Sequence, residues 1–405
     1  MELRKGYKQT EVGVIPEDWQ LKRVEEIFSF YPTSNYSKAQ MSLYGEVGCI
    51  HYGLIHAIPN SSYNVKKGIK YYITKEQAKY EIVKDGDVLM VDASEDFEGV
   101  NKSVELLGID EKKFIAGLHT FLLRDTNSLL VNRYRGTILN SLIVKSQLLR
   151  LAVGMKVYGV SKPQLKTVLI PVPPLSEQTA IAHALSDMDA LISSLEQLIE
   201  KKKAIKQGAI QQLLKPKDGW VTKALGDVFQ FKQGVQCPIE DQKLQWEKGL
   251  RRFIRIVDLT QPGEIPRYIR DPGLAHHVEK DDLFMVRYGN PGLLGYGYQG
   301  VIANNLFRLL PKFDLVNNFF YHLLCFHNAD IMQLSSSTTM AALNFGSLKS
   351  LEINYPVRKN DQNEISKFLN DFDSELNALS IKALKAKEIK QAMMQVLLTG
   401  KIRLI

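Results

Sequence analysis

The chain has 405 residues, of which 45% are hydrophobic and 24% are charged, the balance of a globular protein with more than one domain. Its three cysteines are far apart and no apolar run reaches about 18 residues, which excludes a disulfide framework and argues against a membrane span. The N-terminus lacks an apolar signal core, so we expect a cytoplasmic protein, and the net charge of +8 favours a polyanionic partner.

Residues 1–174 are predicted to form a mixed α/β (α+β) domain with a twisted sheet. Short runs rich in β-branched residues predict strands, and a longer run with helical periodicity predicts a helix over Arg133–Leu151. The predicted strands are Ile69–Ile73, Val88–Val91, Thr120–Leu123 and Val168–Val172.

Residues 175–215 are predicted to form one long helix with a single apolar stripe. Ser176, which follows two prolines, is the predicted N-cap, and Pro216 ends the helix. Apolar and small residues recur in steps of mostly three and four, which is the pattern of a coiled-coil seam. The seam positions are Ile181, Leu185, Met188, Ile192, Leu195, Ile199, Ile205, Ala209 and Leu213.

Residues 216–357 are predicted to form a second α/β domain, and residues 358–405 a second long helix with a short tail. Asn360 is the predicted N-cap of this helix, and Gly400 closes it in a left-handed conformation. The second domain has predicted strands Phe253–Val257, Leu283–Val286, Leu306–Leu310 and Leu351–Asn354, and a predicted helix Asn317–Leu334. The seam of the second long helix is Ile365, Leu369, Phe372, Leu376, Leu379, Ala383, Ala386, Ile389, Met393 and Val396.

The two halves of the chain repeat one another. Residues 175–214 align with residues 359–398 without a gap and share 14 identical residues in 40 positions. Weaker matches precede them in the same order, including Trp19 with Trp220. An isolated helix would leave its stripe exposed, so we expect the two helices to pair antiparallel, separate the two domains and give a pseudo-two-fold repeat. An ordinary helical hairpin or a homodimer seam is the alternative.

Polar and aromatic residues gather in the loops after matching strands of both domains. Asn, Gln, Arg and Ser are the residue types that read base edges, and Tyr stacks on bases or contacts phosphate. Because corresponding loops are polar yet different while the helices stay alike, we predict two DNA-reading surfaces. The candidate residues are Ser94, Asn101, Lys102, Lys156, Tyr158, Ser161, Lys162, Arg251, Arg252, Arg255, Arg287, Tyr288, Asn290, Tyr296, Tyr298, Gln299, Ser336, Thr338 and Thr339.

Motifs of the common catalytic cores are missing from the sequence. It has no G-x-x-x-x-G-K-[ST] phosphate-binding loop and no zinc-protease motif, and its eight histidines form no convincing metal-ligand cluster. A protein that reads DNA without catalysing a reaction is therefore the favoured interpretation, and no metal or cofactor is expected on the chain. A divergent nuclease and a coiled-coil protein scaffold without DNA binding stay open as alternatives.

Three segments make the chain resemble the specificity subunits of type I restriction–modification systems, over nearly its whole length. They are Tyr7–Trp19, Ile170–Gln178 and Leu397–Lys401. The resemblance implies two target-recognition domains, each of which reads half of a split, asymmetric DNA sequence. The second half departs from the pattern at Val357–Gln362, where the first half has Pro174–Gln178.

The resemblance also implies partners. The two long helices would dock two methyltransferase subunits and, in a restriction complex, motor and nuclease subunits would join them. S-adenosylmethionine, Mg²⁺ and ATP would then be bound by the partners alone. The candidate docking residues are Glu177, Gln178, Asp187, Asp189, Asp361, Gln362, Asp371 and Asp373.

Overall fold

A computed structural model describes residues 4–95, 99–152, 154, 158–261, 263–335 and 341–405. The chain divides into two compact units, Met1–Glu196 with Ile381–Ile405, and Gln197–Ser380. Each of the two long helices therefore begins in one unit and ends in the other. Within the described residues, no helix combines the length and the apolar character that a membrane crossing needs.

The first unit is built on a five-stranded sheet of order β4-β12-β8-β10-β6, in which only the β10–β6 pair is parallel. The same unit has a separate three-stranded sheet of order β11-β5-β7. In this sheet β5 pairs with β11 in parallel and with β7 antiparallel. The strands are β1 (Tyr7–Thr10), β2 (Gly13–Pro16), β3 (Gln20–Arg23), β4 (Ser29–Tyr31), β5 (Val47–Ile50), β6 (Ser62–Asn64), β7 (Tyr72–Ile73), β8 (Val88–Val91), β9 (Ala93–Ser94), β10 (Ser103–Leu107), β11 (Lys113–Ala116), β12 (Thr120–Arg124), β13 (Tyr158–Gly159) and β14 (Leu169–Val172). The helices are α1 (Val24–Ile27), α2 (Tyr52–Ala57), α3 (Tyr134–Leu139), α4 (Leu142–Leu151), α5 (Lys162–Lys166) and the start of α6 (Leu175–Leu213).

The second unit contains two four-stranded sheets, of order β16-β23-β20-β21 and β18-β17-β22-β19. Its strands are β15 (Trp220–Ala224), β16 (Phe229–Gln233), β17 (Leu250–Ile254), β18 (Arg267–Arg270), β19 (His277–Val278), β20 (Leu283–Val286), β21 (Leu294–Gly295), β22 (Gly300–Ile302), β23 (Leu306–Pro311) and β24 (Glu352–Pro356). Its helices are α7 (Leu225–Val228), α8 (Ile256–Thr260), α9 (Asn317–Phe326), α10 (Asn328–Gln333), α11 (Phe345–Lys349) and the start of α12 (Lys359–Leu397).

The central strands β8 and β20 are buried on both faces, which explains why they read as continuous apolar runs. In β8, Val88 and Met90 pack into one apolar cluster, while Leu89 packs into another on the opposite face. In β20, Leu283 and Phe284 are likewise divided between two clusters. Successive side chains of a strand point to opposite faces, so a strand covered on both sides needs apolar residues at every position.

Both long helices span 39 residues and pair antiparallel within each unit. In the first unit the Lys390 ammonium lies 2.5 Å from the Asp189 carboxylate, and in the second unit Lys206 lies 2.5 Å from Asp373. These pairs are copies of one another, because Asp189 aligns with Asp373 and Lys206 with Lys390. The predicted antiparallel pairing is confirmed within each unit.

The predicted seam is wrong at Ile205 and Ile389, whose side chains are exposed. After Ile199 the three-and-four spacing continues through Lys202 and Lys206, which are only partly exposed. The aliphatic stems of lysine cover the seam while their ammonium groups reach carboxylates at its rim. The helical period therefore places Lys202 and Lys206 on the seam and leaves Ile205 exposed to solvent.

Both predicted N-caps lie inside the helices. The first helical hydrogen bonds run from Gln178 N to Pro174 O and from Gln362 N to Arg358 O, so Pro174 and Arg358 occupy the cap positions rather than Ser176 and Asn360. At the other end Gly400 has φ 67°, and its N–H donates to Leu397 O, as the left-handed prediction requires.

Two predicted helices are broken and two predicted strands are too long, since only Tyr72–Ile73 of the predicted strand Ile69–Ile73 forms β7. Ser141 ends the Arg133–Leu151 helix after α3 and caps α4, since its Oγ accepts a hydrogen bond from Val144 N. His327 separates α9 from α10, but its side chain does not cap α10. The Phe253–Val257 strand ends at Ile254, because Asp258 accepts a hydrogen bond from Arg255 N and starts α8.

Candidate nucleic-acid interface

One edge of the first unit's main sheet carries polar side chains from several elements. β8 ends and the antiparallel strand β12 begins at this edge, so the residues that flank them, Asp92 and His119, come together with Oδ1 and Nδ1 3.3 Å apart. β9 pairs with β13 here, which sets Tyr158 opposite Ser94. We call Asp92, His119, Tyr158 and Lys162 the first polar edge. The predicted DNA-binding residue Ser94 is buried, which removes it from the candidate surface.

Lys162 is anchored at this edge by the loop that precedes α5. Val160 N donates to Asp92 O at 3.2 Å, and Ser161 caps α5 by accepting from Gln164 N. The Lys162 ammonium lies 5.1 Å from the centre of the Phe30 ring. The lysine is exposed, so its charge faces solvent and suits a phosphate or a guanine edge.

A group of rings adjoins the first polar edge and was missed in the sequence. The Tyr52 ring lies 5.6 Å from His119 and 6.2 Å from His56, and His51 lies 5.3 Å from Tyr71. Burial and the nearby Lys38 lower the pKa of His51, whose Nδ1 accepts from Gly53 N. The only signal in the sequence was a Tyr and two His residues within six positions.

The matching edge of the second unit has different chemistry. β16 and β20 end and β23 begins here, so Gln233, Arg287 and Asn304 meet. Tyr288 Oη donates to Asn304 O at 3.0 Å, and Asn290 is exposed. We call Gln233, Arg287, Tyr288, Asn290 and Asn304 the second polar edge.

Arg287 is held at this edge by three kinds of contact. Its guanidinium carbon lies 4.4 Å from the centre of the Phe345 ring, Nη1 donates to Gln233 Oε1 at 3.3 Å, and Nε donates to Leu343 O at 3.4 Å. The side chain is partly exposed. A guanidinium that is fixed by stacking keeps its planar geometry for a bidentate contact with a base.

Asn101 and Lys102 are corrections to the prediction. Asn101 is fully buried, with φ 62°, in the turn between β8 and β10. The Lys102 ammonium donates to His56 O and Ile58 O at the end of α2, and burial lowers its pKa. A cation at a helix C-terminus stabilises the free carbonyls, so Lys102 has a structural role.

The predicted arginines Arg251 and Arg252 of β17 and Arg255, which directly follows it, are paired inside the second unit. Arg255 contacts Asp258 and Glu264 at 3.1 Å and is 18% exposed, which removes it from the candidate surface. Arg252 lies against the Tyr298 ring, and Arg251 pairs with Asp271. The predicted basic edge is therefore largely neutralised by carboxylates of the same unit.

Tyr296, Tyr298 and Gln299 do not join the second polar edge. The Tyr296 hydroxyl contacts Asp281, and Gln299 contacts Glu279, both of which precede β20, whereas Arg287 follows it. The Tyr298 hydroxyl donates to Asp258 O. β21 pairs antiparallel with β20, so the residues that follow β21 lie near the start of β20 rather than its end. The candidates Lys156, Ser336, Thr338 and Thr339 lie outside the described residues.

Three of the predicted docking residues are buried within the chain. Gln178 accepts from Val131 N and donates to Leu129 O and Pro173 O, and Gln362 accepts from Val316 N and donates to Pro356 O. Glu177 is 1% exposed. These three are corrections, because they join each helix start to its own globular part. Asp189 and Asp373 pair with lysines across the helices, and the partly exposed Asp361 pairs with Arg358, whereas Asp187 and Asp371 are exposed.

Comparison with known proteins gives a consistent result. The type I restriction modification DNA specificity domain matches twice, over residues 16–207 and 217–386. The chain is 25% identical over 438 residues to a protein of Methanocaldococcus jannaschii described as the type I restriction enzyme MjaX specificity subunit, with 98% of this chain and 97% of that protein covered. It is 26% identical over 255 residues to the MjaVIII specificity subunit of the same organism, covering 63% of this chain and 52% of the relative.

Solved structures share the fold. The S subunit of a type I restriction–modification system from M. genitalium superposes with a TM-score of 0.61 at 16% identity, covering 98% of both chains. A chain from a study of complex assembly and conformational transition in a type I system gives a TM-score of 0.55 at 16% identity, covering 96% of this chain and 99% of the other.

Proposed function

Because the chain belongs to the type I restriction modification DNA specificity family, we propose that its two polar edges read two different halves of one DNA target. It is the DNA-recognition component of such a system and leaves the chemistry to other subunits. The observation that carries the proposal is the unlike chemistry of two edges built at corresponding strand ends. Two unlike readers require a target whose halves differ in sequence.

The residues at each edge suit different bases. At the second polar edge, Arg287 offers a planar pair of donors for guanine, and the Asn290 amide matches the donor and acceptor of adenine. At the first polar edge, Asp92 is an acceptor that matches the cytosine amino group, and Lys162 is a cation for guanine or phosphate. His119 and Tyr158 add ring surfaces. Each edge thus presents a distinct pattern to the major groove.

The assembly we propose contains two copies of an adenine methyltransferase docked on the paired helices. The duplication supports this, since repeated helices offer repeated surfaces to two copies of one partner. Asp187 and Asp371 are exposed at equivalent positions and stay candidates for that contact. S-adenosylmethionine, Mg²⁺ and ATP belong to the partner subunits in this proposal, including the two motor subunits of a restriction complex.

Mapping methylated adenines and DNase footprints of the assembled complex tests the proposal. We expect two short protected clusters of unlike sequence, with centres about one helical turn (~34 Å) apart. Binding should weaken steeply with salt, because lysines and arginines that contact phosphates displace counterions. One contiguous footprint, or binding that is indifferent to sequence, would contradict the proposal.

A further inference from the structure

The start of α6 in the first unit is closed by both ends of the chain. Arg403 of the C-terminal tail binds Glu177 at 2.7 Å and Asp18 at 2.7 Å. The Trp19 indole donates to Glu177 at 2.9 Å, and the Tyr7 hydroxyl of the N-terminal hairpin donates to Gly400 O at 2.8 Å. We call this arrangement the first junction.

The first junction has an apolar, buried interior. Ile15 and Trp19 are fully buried and belong to the same apolar cluster as Ile181 and Leu397 of the long helices. The hairpin β1–β2 supplies Ile15, and the tail supplies the arginine. An aliphatic side chain of the hairpin and a guanidinium of the tail therefore both belong to the first junction.

The corresponding place in the second unit is an open crevice of about 640 Å³. Trp220, Asp361 and Ile365 line it, and they align with Trp19, Glu177 and Ile181 of the first junction. Residues 214–219, all of which the structure describes, form no second hairpin before Trp220. We call this feature the second-unit crevice.

The residues that line the second-unit crevice are more exposed than the matching residues of the first junction. Trp220 and Ile365 are half-buried, and Phe368 and Val357 are 47% and 60% exposed. Burying such groups stabilises a complex by about 25 cal/mol per Å² of apolar area. The apolar lining thus offers the contact that Ile15 makes in the first unit.

The charges of the crevice favour a basic occupant. Three carboxylates line it, Asp218, Asp361 and Glu364, against the two cations Lys217 and Arg358. Asp361 takes the place of Glu177 but is one methylene shorter, and its partner is the 83% exposed Arg358. In the first junction the equivalent carboxylate is completely enclosed by Arg403 and Trp19.

We propose that the second-unit crevice binds a segment of a partner subunit that carries an aliphatic side chain and an arginine. The first junction defines this chemistry, since the chain itself supplies both groups there. A second copy of this chain fits less well, because its own hairpin and tail are already held by Tyr7, Arg403 and Trp19. The inference rests on the proposed function in one respect, that the partner is the methyltransferase. Under this proposal the chain binds its two methyltransferase copies with different contacts, because only the second unit has an open crevice.

The test uses the full chain and its purified methyltransferase, with stepwise binding followed by native mass spectrometry and calorimetry. Phe368→Glu places a charge at the mouth of the crevice, and we expect one of the two binding steps to weaken by about 30-fold. The matched control is Phe326→Glu, a phenylalanine of the same unit that is 38% exposed and does not line the crevice. It should leave both steps within about twofold, the range of a near-neutral interface contact.

A second measurement guards against misfolding of the variant. Hydrogen exchange of the wild-type chain should show protection of the amides near Trp220 when the methyltransferase binds, with no matching change near Trp19. Equal affinity of Phe368→Glu and wild type for both copies, or unchanged exchange near Trp220, overturns the crevice proposal alone. A wild-type chain that binds no methyltransferase overturns both the proposed assembly and this inference.

Discussion

The starts of α6 and α12 are repeats of one another, but different neighbouring residues pack against them. Trp19 and Trp220 occupy matching positions at the first junction and the second-unit crevice, yet Trp19 is fully buried and Trp220 is half-buried. The difference arises from residues outside the repeat, namely the N-terminal hairpin and the tail. Residues at matching positions of the two repeats therefore contribute differently to stability, because their neighbours outside the repeat differ.

The largest expected effect is on Trp19. Trp19→Ala removes a fully buried indole and its hydrogen bond to Glu177, so we expect a loss of about 3–5 kcal/mol in the stability of the first unit. Trp220→Ala should cost less than half as much, because its side chain already meets solvent. Thermal melts combined with hydrogen exchange in each unit measure both variants. Equal losses would contradict the difference between the two helix starts.

The buried glutamines give the next largest effect. Gln178→Ala leaves Val131 N, Leu129 O and Pro173 O without their partner, and Gln362→Ala leaves Val316 N and Pro356 O. An unsatisfied buried polar group costs about 1–3 kcal/mol, so both variants should be destabilised, and Gln178→Ala more so. Denaturant titration of both proteins checks the order. A milder effect of Gln178→Ala would show that the third hydrogen bond adds nothing.

Base discrimination should change at one half-site only. Asn290→Ala removes an exposed amide of the second polar edge, and we expect about 1–3 kcal/mol less discrimination at one base pair of that half-site. The control is Gln299→Ala, whose side chain lies at the opposite end of β20 against Glu279. Binding of the complex to libraries randomised in each half-site measures the change. Relaxed specificity in the control but not in Asn290→Ala would place the reading surface at the wrong end of the strand.

The smallest effect concerns the repeated ion pairs of the long helices. Asp189 and Lys390 are 19% and 17% exposed, whereas Asp373 and Lys206 are 47% and 21% exposed. A double-mutant cycle with alanine should give a coupling of about 0.2–1 kcal/mol, with the less exposed pair at the upper end. Measurement at two salt concentrations should show the stronger screening for Asp373–Lys206. The reverse order would mean that exposure does not govern these pairs.

Much of the architecture could be read from periodicity and repetition. The two 39-residue helices, their antiparallel pairing within each unit and the strands β8 and β20 follow from patterns that are local or repeated. The exceptions were the positions where local signals competed. Ile205 loses its place to Lys206, and Ser176 lies inside the helix that it was expected to cap.

The candidate site was predicted less well than the fold. Arg287 and Tyr288 lie at a strand end as expected, but Arg255 and Lys102 bind groups inside their own unit, and Asn101 is fully buried. A polar residue in a loop is available to DNA only if the contacts within its own unit leave it exposed, as they leave His119. His119 was not predicted from the sequence. It lies in the site because β8 ends and β12 begins at the same edge, which brings His119 next to Asp92.

The sequence by itself determined that the chain is a duplication, that its helices carry a seam and that its loops differ in chemistry, since these properties depend on residue order alone. The tertiary structure decided which polar residues face solvent and which are neutralised inside. It also decided that Trp19 is enclosed while Trp220 lines a crevice. Enclosure depends on groups far apart in the chain, such as Tyr7 and Gly400, which no local pattern brings together.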